Sequence, residues 1–275
     1  MLPSAPKLNG PEGEVVIRVK GLQKSFGRRK ILDDVSLEVR RGEILVIMGG
    51  SGCGKSTLLR HLMGALEPDE GAVELFGEDL ATLDEDGLNA VRKRFGVLYQ
   101  SGALFNSLTV GENVMLPLRE HTHLQEEILR IVMKMKLELV GLRGFEMLMP
   151  SELSGGMKKR VGLARAVALD PEVIFYDEPG TGLDPIMAAV IDQLVTDLSH
   201  KLGVTSVVVT HDMRSAFKVA HRMVMLYEGK IVAEGAPEEF RDSQDPLVQQ
   251  FIRGEPDGPI PLRQSRVDYA TDLLT

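Results

Sequence analysis

The chain has 275 residues, of which 43% are hydrophobic and 26% are charged, and its formal net charge is −8 at pH 7. This length and composition fit a globular protein with one large domain or two small ones, and the acidic balance argues against a broad basic surface for nucleic acid. The sequence contains no apolar run near the roughly 20 residues that a membrane-spanning helix needs. We therefore expect a soluble protein, or one that is attached to a membrane through a partner.

The first predicted elements are two strands behind a leader. Residues 1–13 are rich in proline and glycine and lack the charged and apolar regions of a signal peptide, which predicts a flexible leader. Residues 15–20 alternate apolar and polar side chains, as a half-buried strand does, and residues 35–39 predict a second strand. Residues 21–29 predict a loop, in which Phe26 is the only aromatic residue.

A phosphate-binding loop follows. Nine consecutive residues contain the pattern G-x-x-x-x-G-K-[ST]: Gly49, Gly50, Ser51, Gly52, Cys53, Gly54, Lys55, Ser56 and Thr57. Residues 44–48 predict a buried parallel strand before the loop and residues 58–66 a helix after it, which is the context that the motif requires. Backbone N–H groups and the helix N-terminus would hold a phosphate chain. Lys55 would reach the β- and γ-phosphates, and Ser56 would ligate Mg²⁺.

Cys53 is the only cysteine of the chain. The sequence therefore excludes an internal disulfide and indicates a reducing compartment. Because nothing near it in the sequence resembles a catalytic base, we expect a small loop residue rather than a nucleophile.

A helical segment interrupts the α/β pattern. After a strand predicted at residues 95–100, the sequence is mostly helical to about residue 169. Five apolar residues recur at helical spacing, and we expect them to pack within this segment. They are Leu124, Ile128, Ile131, Met135 and Leu139. We expect a solvated helix face at Lys158, Lys159 and Arg160. The alternative is that these side chains contact phosphate.

Two adjacent carboxylates provide the second half of a nucleotide site. Residues 173–176 predict a buried strand that leads directly into Asp177 and Glu178. A carboxylate at such a strand end can hold Mg²⁺, so we assign this role to Asp177. Glu178 could accept a proton from an attacking water. A solvated strand end is the alternative, but two halves of one site seldom occur together by chance.

The rest of the chain returns to an α/β pattern. We predict a helix at residues 185–201, a strand at 206–210 that ends at His211, a helix at 212–220, strands at 223–227 and 230–233, short helices at 237–241 and 246–252, and an extended tail from residue 254.

Several segments together resemble the ATP-binding cassette (ABC) ATPases. Leu153-Ser154-Gly155-Gly156-Met157 resembles the signature sequence LSGGQ, and Gly182-Leu183-Asp184-Pro185 resembles the D-loop. Gln100 stands where the family has its Q-loop glutamine, and His211 where it has its switch histidine. Phe26 is placed like the aromatic residue that stacks on adenine. A phosphate loop alone is shared by many NTPases, whereas this combination is highly specific.

The resemblance covers about residues 14–250 and implies an α/β fold. It implies a P-loop NTPase (RecA-like) core with an antiparallel β subdomain and an inserted α-helical subdomain. The corresponding division is a leader at 1–13, an ABC ATPase domain at 14–253 with its helical subdomain at about 101–169, and a C-terminal extension at 254–275.

The resemblance also implies which residues of each chain would hydrolyse the ATP bound to that chain. Glu178 would polarise the attacking water, and His211 would hold the water and the γ-phosphate. Gln100 would sense Mg²⁺ and water and would join Ser56 and Asp177 at the metal. The chain would therefore be an active ATPase rather than a degenerate one.

A second copy would complete each site. The resemblance implies a homodimer of two cassettes that face head to tail around two ATP molecules. Ser154, Gly155 and Gly156 of one protomer would cap the γ-phosphate held by the other, and Asp184 would couple the two sites. Two positions depart from the common pattern: Met157 replaces the signature glutamine, and Gly180 stands where many cassettes have threonine.

A finer resemblance is to the ATPases of the Mla/MCE-type phospholipid transporters. Residues 100–105, 117–120 and 152–157 resemble that subfamily, which makes Met157 a subfamily feature, and the tail over 254–275 looks like its C-terminal extension. The resemblance implies ATP-driven phospholipid transport between membranes, which maintains the lipid asymmetry of an outer membrane. The extension is expected to pack across the dimer.

The implied partners are two permease copies, an MCE-domain subunit and a small STAS-domain protein. The chain would be peripheral at the cytoplasmic face of the inner membrane, with Leu104 and Phe105 as part of the permease-facing surface. Burial of both residues in the helical subdomain is the alternative.

Three other functions are weighed against this one. A transporter ATPase for another substrate would look nearly the same, because other subunits select the substrate. Non-transport ABC proteins usually have two cassettes or a long coiled-coil insertion, and this chain shows one cassette and no sustained heptads. The signature residues and His211 argue against an unrelated P-loop kinase or GTPase.

Overall fold

The computed structural model describes residues 13–261. The predicted leader, apart from Gly13, and residues 262–275 of the predicted extension lie outside the described residues. Ten strands form in the described range: β1 (Val15–Phe26), β2 (Arg29–Arg40), β3 (Ile44–Met48), β4 (Glu70–Leu75), β5 (Glu78–Asp79), β6 (Phe95–Leu98), β7 (Val173–Asp177), β8 (Thr205–Val209), β9 (Arg222–Tyr227) and β10 (Lys230–Gly235).

Nine α-helices accompany these strands in residues 13–261: α1 (Lys55–Leu62), α2 (Glu85–Arg92), α3 (Val110–His121), α4 (Glu126–Leu139), α5 (Gly155–Ala166), α6 (Pro185–Leu202), α7 (Met213–Val219), α8 (Pro237–Asp242) and α9 (Pro246–Arg253). Short 3₁₀ turns lie at Leu80–Thr82 and Pro150–Glu152. None of the helices described is long and apolar enough to cross a bilayer.

The central sheet has six strands in the order β10-β9-β3-β8-β7-β6, and only β10 runs antiparallel to its neighbour. Every residue of β3 and β8 is buried, because helices cover one face of the sheet and α1 covers the other together with β1, β2 and β4. Strands that are buried on both faces have continuously apolar sequences. Val209 pairs with both Ile47 and Asp177, so the carboxyl ends of β3, β8 and β7 meet at one edge. In sheets of this kind, ligands bind at that edge.

The second sheet is antiparallel, with the order β2-β1-β4-β5. The prediction of a loop at residues 21–29 was wrong, since β1 continues to Phe26 and β2 begins at Arg29. Register shifts interrupt the β1–β2 pairing around Gly21, whose φ is +55°, so the strand continues through an irregularity. Glycine in a strand pattern often marks such a bulge rather than a strand end.

The helices between β6 and β7 are α3, α4 and α5, and α4 packs on both of the others. Helix α3 begins with a reciprocal capping box between Thr109 and Glu112. On α4 the buried apolar residues are Leu129, Met133 and Leu137. These side chains join the same core cluster as the helix-facing side of the central sheet.

The expectation that five apolar residues of this segment pack in its core was wrong. Leu124, Ile128, Ile131, Met135 and Leu139 are between 43% and 61% exposed. Helix α4 carries two apolar rows, and helical spacing alone does not say which row meets the core. Four of these residues lie on α4 and Leu124 lies just before it, and we call the five residues the α4 stripe.

The beginning of the tail packs back on the domain. Gln250 of α9 is buried, and its amide group donates to the Ile260 carbonyl at 3.1 Å. The Ile260 N–H donates to Gln250 Oε1 at 2.6 Å. This paired bond holds the described end of the chain against α9.

Candidate active site

The phosphate-binding loop joins β3 to α1, as the sequence predicts, although α1 ends at Leu62 rather than near Leu66. Gly49 has a φ of +152°, and a Cβ there would lie 2.2 Å from the Leu226 carbonyl oxygen. Gly54 has a φ of +111°, and a Cβ there would lie 2.9 Å from the Ile31 carbonyl oxygen. Only glycine fits either position, so the loop passes close to its neighbours and leaves its own backbone open to a ligand.

Lys55 is buried within this loop. Its ammonium donates to the carbonyl oxygens of Gly49 at 2.7 Å and Gly50 at 3.1 Å. A lysine held this way adds a fixed positive charge to the N-terminus of α1, where anions are already favoured. Burial raises the pKa of Cys53, in keeping with the expected small loop residue.

A cleft of about 220 Å³ opens beside the loop. Its lining residues are Phe26, Arg29, Ile31, Gly52, Gly54, Lys55, Ser56 and Thr57. Phe26 is 52% exposed, so it is not a core residue. The ring stands where a planar base could stack while the phosphates reach the loop.

The donor set suits a magnesium ion that is bound together with phosphates. Asp177 ends β7 half-buried, and Ser56 is exposed in the first turn of α1. Burial and the neighbouring Glu178 raise the pKa of Asp177, against the opposing charges of Arg60 and Lys55. Residues 13–261 contain no group of three His, Cys, Asp or Glu side chains that could hold a metal alone. A hydroxyl and one carboxylate match Mg²⁺, which keeps waters and takes substrate phosphates as ligands.

Glu178 follows β7 in a left-handed backbone conformation, with a φ of +48°. Its N–H donates to the Val209 carbonyl at 2.9 Å. Its Oε2 atom lies 2.8 Å from His211 Nδ1 and accepts a hydrogen bond from Thr181 Oγ1 at 3.1 Å. Strained conformations of this kind are found at functional sites where the surroundings hold them in place.

The structure thus brings Glu178 and His211 into direct contact, while Gln100 stands apart. Strand β6 ends at Leu98, so Gln100 lies in the turn after it, with an exposed side chain. Within the described residues, no hydrogen bond joins Gln100 to Asp177 or Glu178. Its assignment to the metal stays a prediction.

The signature residues form the start of α5. Ser154 is the N-cap residue, and its Oγ accepts from the Met157 N–H at 3.3 Å. Ser154 and Gly155 are exposed, whereas Gly156 is buried where a Cβ would lie 2.8 Å from Met187 Cε. Gly156 therefore allows α5 and α6 to pack closely, and the two exposed residues remain available to a ligand.

Asp184 caps α6. Its Oδ1 accepts from the N–H groups of Ile186 at 2.9 Å and Met187 at 3.0 Å. Gly180, which departs from the family pattern, has room for a side chain, since a Cβ would lie 3.8 Å from Ala188 Cβ. The departure therefore has no steric cause in this chain.

The roles of two residues near Glu178, Thr181 and Lys159, were not predicted from the sequence. Thr181 lies three positions after Glu178, and its hydroxyl could have been considered for that reason. Lys159 was expected on a solvated face, which was wrong: it is 4% exposed. Three consecutive helical residues point about 100° apart, so a basic run cannot lie on one face.

Comparisons with known proteins show the family to which this chain belongs. Residues 32–181 match the ABC transporter family. The chain is 47% identical over 259 residues to the intermembrane phospholipid transport system ATP-binding protein MlaF of Haemophilus influenzae, across 94% of this chain and 98% of that protein. It is 43% identical over 257 residues to the "Probable ribonucleotide transport ATP-binding protein mkl" of Mycobacterium tuberculosis, across 94% of this chain and 71% of that protein.

A solved structure confirms the fold class. The dimeric ATP-binding cassette MJ0796, in a post-hydrolysis state bound to ADP and Pi, matches with a TM-score of 0.75 and 34% identity. The match covers 80% of this chain and 98% of that one. The chain therefore belongs to the ABC transporter family, as an ATP-binding subunit that hydrolyses ATP.

Proposed function

We propose that this chain is the ATPase of a phospholipid transporter that moves lipid between membranes. The assignment of phospholipid as the substrate is supported by the 47% identity to MlaF over nearly the whole of both chains. The observation that carries the chemistry is the convergence of the phosphate loop, Asp177 and the Glu178–His211 pair at one edge of the central sheet.

We assign the catalytic roles from the contacts described. Lys55 and the loop N–H groups bind the phosphates of ATP, and Phe26 stacks on the adenine. Ser56, Asp177 and Gln100 would hold Mg²⁺, which neutralises charge on the β- and γ-phosphates. These residues position the γ-phosphate in front of Glu178.

Glu178 acts as the general base. His211 and Thr181 both contact its Oε2 atom, which leaves Oε1 to accept the proton of the attacking water. A His211 ring that carries a proton on both nitrogens can donate through Nδ1 to Glu178 and through Nε2 to the γ-phosphate. Proton removal by a positioned carboxylate contributes roughly 10²–10⁴-fold to such a reaction.

Two copies of the chain complete the sites as a head-to-tail homodimer. Ser154 and Gly155 are exposed at the N-terminus of α5, where they can cap the γ-phosphate of the other copy. Beside Asp184, Ile186 is 76% exposed, and an apolar side chain in that position suits a protein contact. MJ0796, which this chain resembles, is described as a dimer.

Two further surfaces are assigned to partners. Phe105 is exposed and Leu104 is only partly buried, which supports the permease-facing role of this segment and argues against burial of both. The α4 stripe is a second surface that suits a protein contact, because its five apolar side chains are between 43% and 61% exposed. The MCE-domain subunit would join through the permease, and the chain would lie at the cytoplasmic face of the inner membrane, where ATP is available.

The identity to mkl keeps a transporter for another substrate as the alternative. The test is to tag the chain in its native cell, solubilise the membranes gently and identify the co-purifying proteins by mass spectrometry. A permease with an MCE-domain protein supports lipid transport. A permease with a solute-binding protein overturns the lipid assignment, and ribosomal or DNA-repair proteins without a permease overturn transport.

A further inference from the structure

Lys159 is a buried cation whose partners are backbone carbonyls. Its ammonium donates to the carbonyl oxygens of Pro179 at 2.7 Å and Thr181 at 2.6 Å, with that of Glu178 at 3.5 Å. Among the described residues, no ion pair forms at Lys159. Lys136, which is similarly buried, instead pairs with Asp170.

Placing the charged side chain of Lys159 in this buried position costs free energy of desolvation. Burial lowers its pKa, because the charged form loses its hydration. A buried charge is often no more stabilising than an apolar side chain of the same shape. The contacts of its ammonium, rather than its volume, therefore need an explanation.

The three carbonyls belong to the turn that carries the proposed base. The φ of Glu178 is +48°, a conformation that is unfavourable for a residue with a side chain and that persists only where its surroundings hold it. This turn directs the carbonyls of residues 178, 179 and 181 towards one point. The ammonium of Lys159 occupies that point, and its hydrogen bonds to these carbonyls stabilise the turn.

The same turn sets the hydroxyl of Thr181, which donates to Glu178 Oε2. Lys159 lies on α5, five residues after the N-cap Ser154, or about 7–8 Å along the helix axis. A rigid helix thus connects the proposed cap on one nucleotide with the turn that carries the base for the other.

We propose that Lys159 is a positioning residue that fixes residues 178–181 to α5, and so links signature binding at one ATP to the placement of Glu178 at the other. This rests on the proposed role of Glu178. Lys159 itself touches neither ATP nor the attacking water.

The experiment compares Lys159→Met with wild type in the assembled transporter, measuring kcat, KM, the Kd for ATP and the thermal midpoint. We expect kcat to fall roughly 10–100-fold, as misplaced catalytic groups do, while KM and Kd stay within about threefold because the phosphate loop is unchanged. Lys159→Arg keeps the donors and should recover most of the lost kcat. The matched control is Lys136→Met, which should lower the thermal midpoint and leave kcat near wild type.

Other results contradict the proposal. A kcat for Lys159→Met within about twofold of wild type overturns it, as does a fall in kcat that Lys159→Arg does not recover. So does a parallel loss of kcat, ATP affinity and thermal midpoint, which indicates a merely structural lysine. If the Met variant does not fold, the same measurements are made on Lys159→Gln, and the same outcomes support or overturn the proposal.

Glu178→Gln, measured alongside, separates the two claims. Continued hydrolysis in that variant removes Glu178 from its proposed role and the Lys159 inference with it. Loss of hydrolysis in Glu178→Gln, with normal kcat in Lys159→Met, overturns the inference alone.

Discussion

The Nδ1 atom of His211 lies 2.8 Å from the Oε2 atom of Glu178. The two residues are 33 positions apart in sequence, but they follow neighbouring parallel strands, and Asp177 pairs with Val209 across β7 and β8. The sheet register therefore sets this contact before any nucleotide is added. A third element, the turn at Thr181, holds the same oxygen.

The first prediction concerns that contact. His211→Ala should lower kcat by roughly 10²-fold, because both the orientation of Glu178 and a donor to the γ-phosphate are lost. The Kd for ATP should stay within a few-fold, since the phosphate loop binds the nucleotide. Steady-state ATPase rates and equilibrium binding measure the two effects, and an unchanged kcat would remove His211 from the reaction.

Phe26 provides the second prediction. Because its exposed ring forms one wall of the nucleotide cleft, Phe26→Ala should weaken ATP binding roughly tenfold, as loss of one base–aromatic stack does. The kcat at saturating ATP should remain near wild type, and Phe26→Tyr should bind normally. Equal affinity of the Ala variant for ATP would show that the ring does not touch the base.

The α4 stripe gives a prediction about stability and partners. Ile131→Asp with Met135→Asp should change the thermal midpoint by no more than about 2 °C, because both side chains are exposed. The same double variant should lose a protein partner in co-purification while keeping ATPase activity. The control is Met133→Asp on the buried face, which should destabilise the domain by roughly 3 kcal/mol or more. A large fall in midpoint for the stripe variant would place those side chains in the core.

Buried histidines predict how stability depends on pH. Burial lowers the pKa of His61 and of His221, and the nearby His200 lowers that of His221 further. As pH falls below about 6.5, the unfolded chain takes up protons at these sites before the folded chain does, so stability decreases. The raised pKa of Asp177 acts in the opposite direction.

Thermal midpoints between pH 5 and pH 7 test the effect. The midpoint should rise with pH, and His221→Gln should reduce that rise, since the variant lacks one of the groups. The same pH dependence in both proteins would contradict a contribution from His221.

The sequence predicts those parts of the site that lie next to each other in the chain. The phosphate loop and the Asp177-Glu178 pair each follow a continuously apolar strand, so their positions at strand ends were predictable. The partners of Lys159 were not, because its ammonium meets a turn formed 20 residues later. The predicted burial of the α4 stripe was wrong for a related reason. Helical spacing of apolar residues indicates an apolar face, and only packing decides whether the domain or a partner covers that face.

The most direct measurement is ATP binding and hydrolysis by Glu178→Gln beside wild type, in the same assembled transporter. The substitution keeps the size of the side chain and removes its basicity. We expect ATP to bind within a few-fold of the wild-type Kd and hydrolysis to fall by roughly 10²–10⁴-fold. Hydrolysis within a few-fold of wild type would contradict the account, because the base would then lie elsewhere.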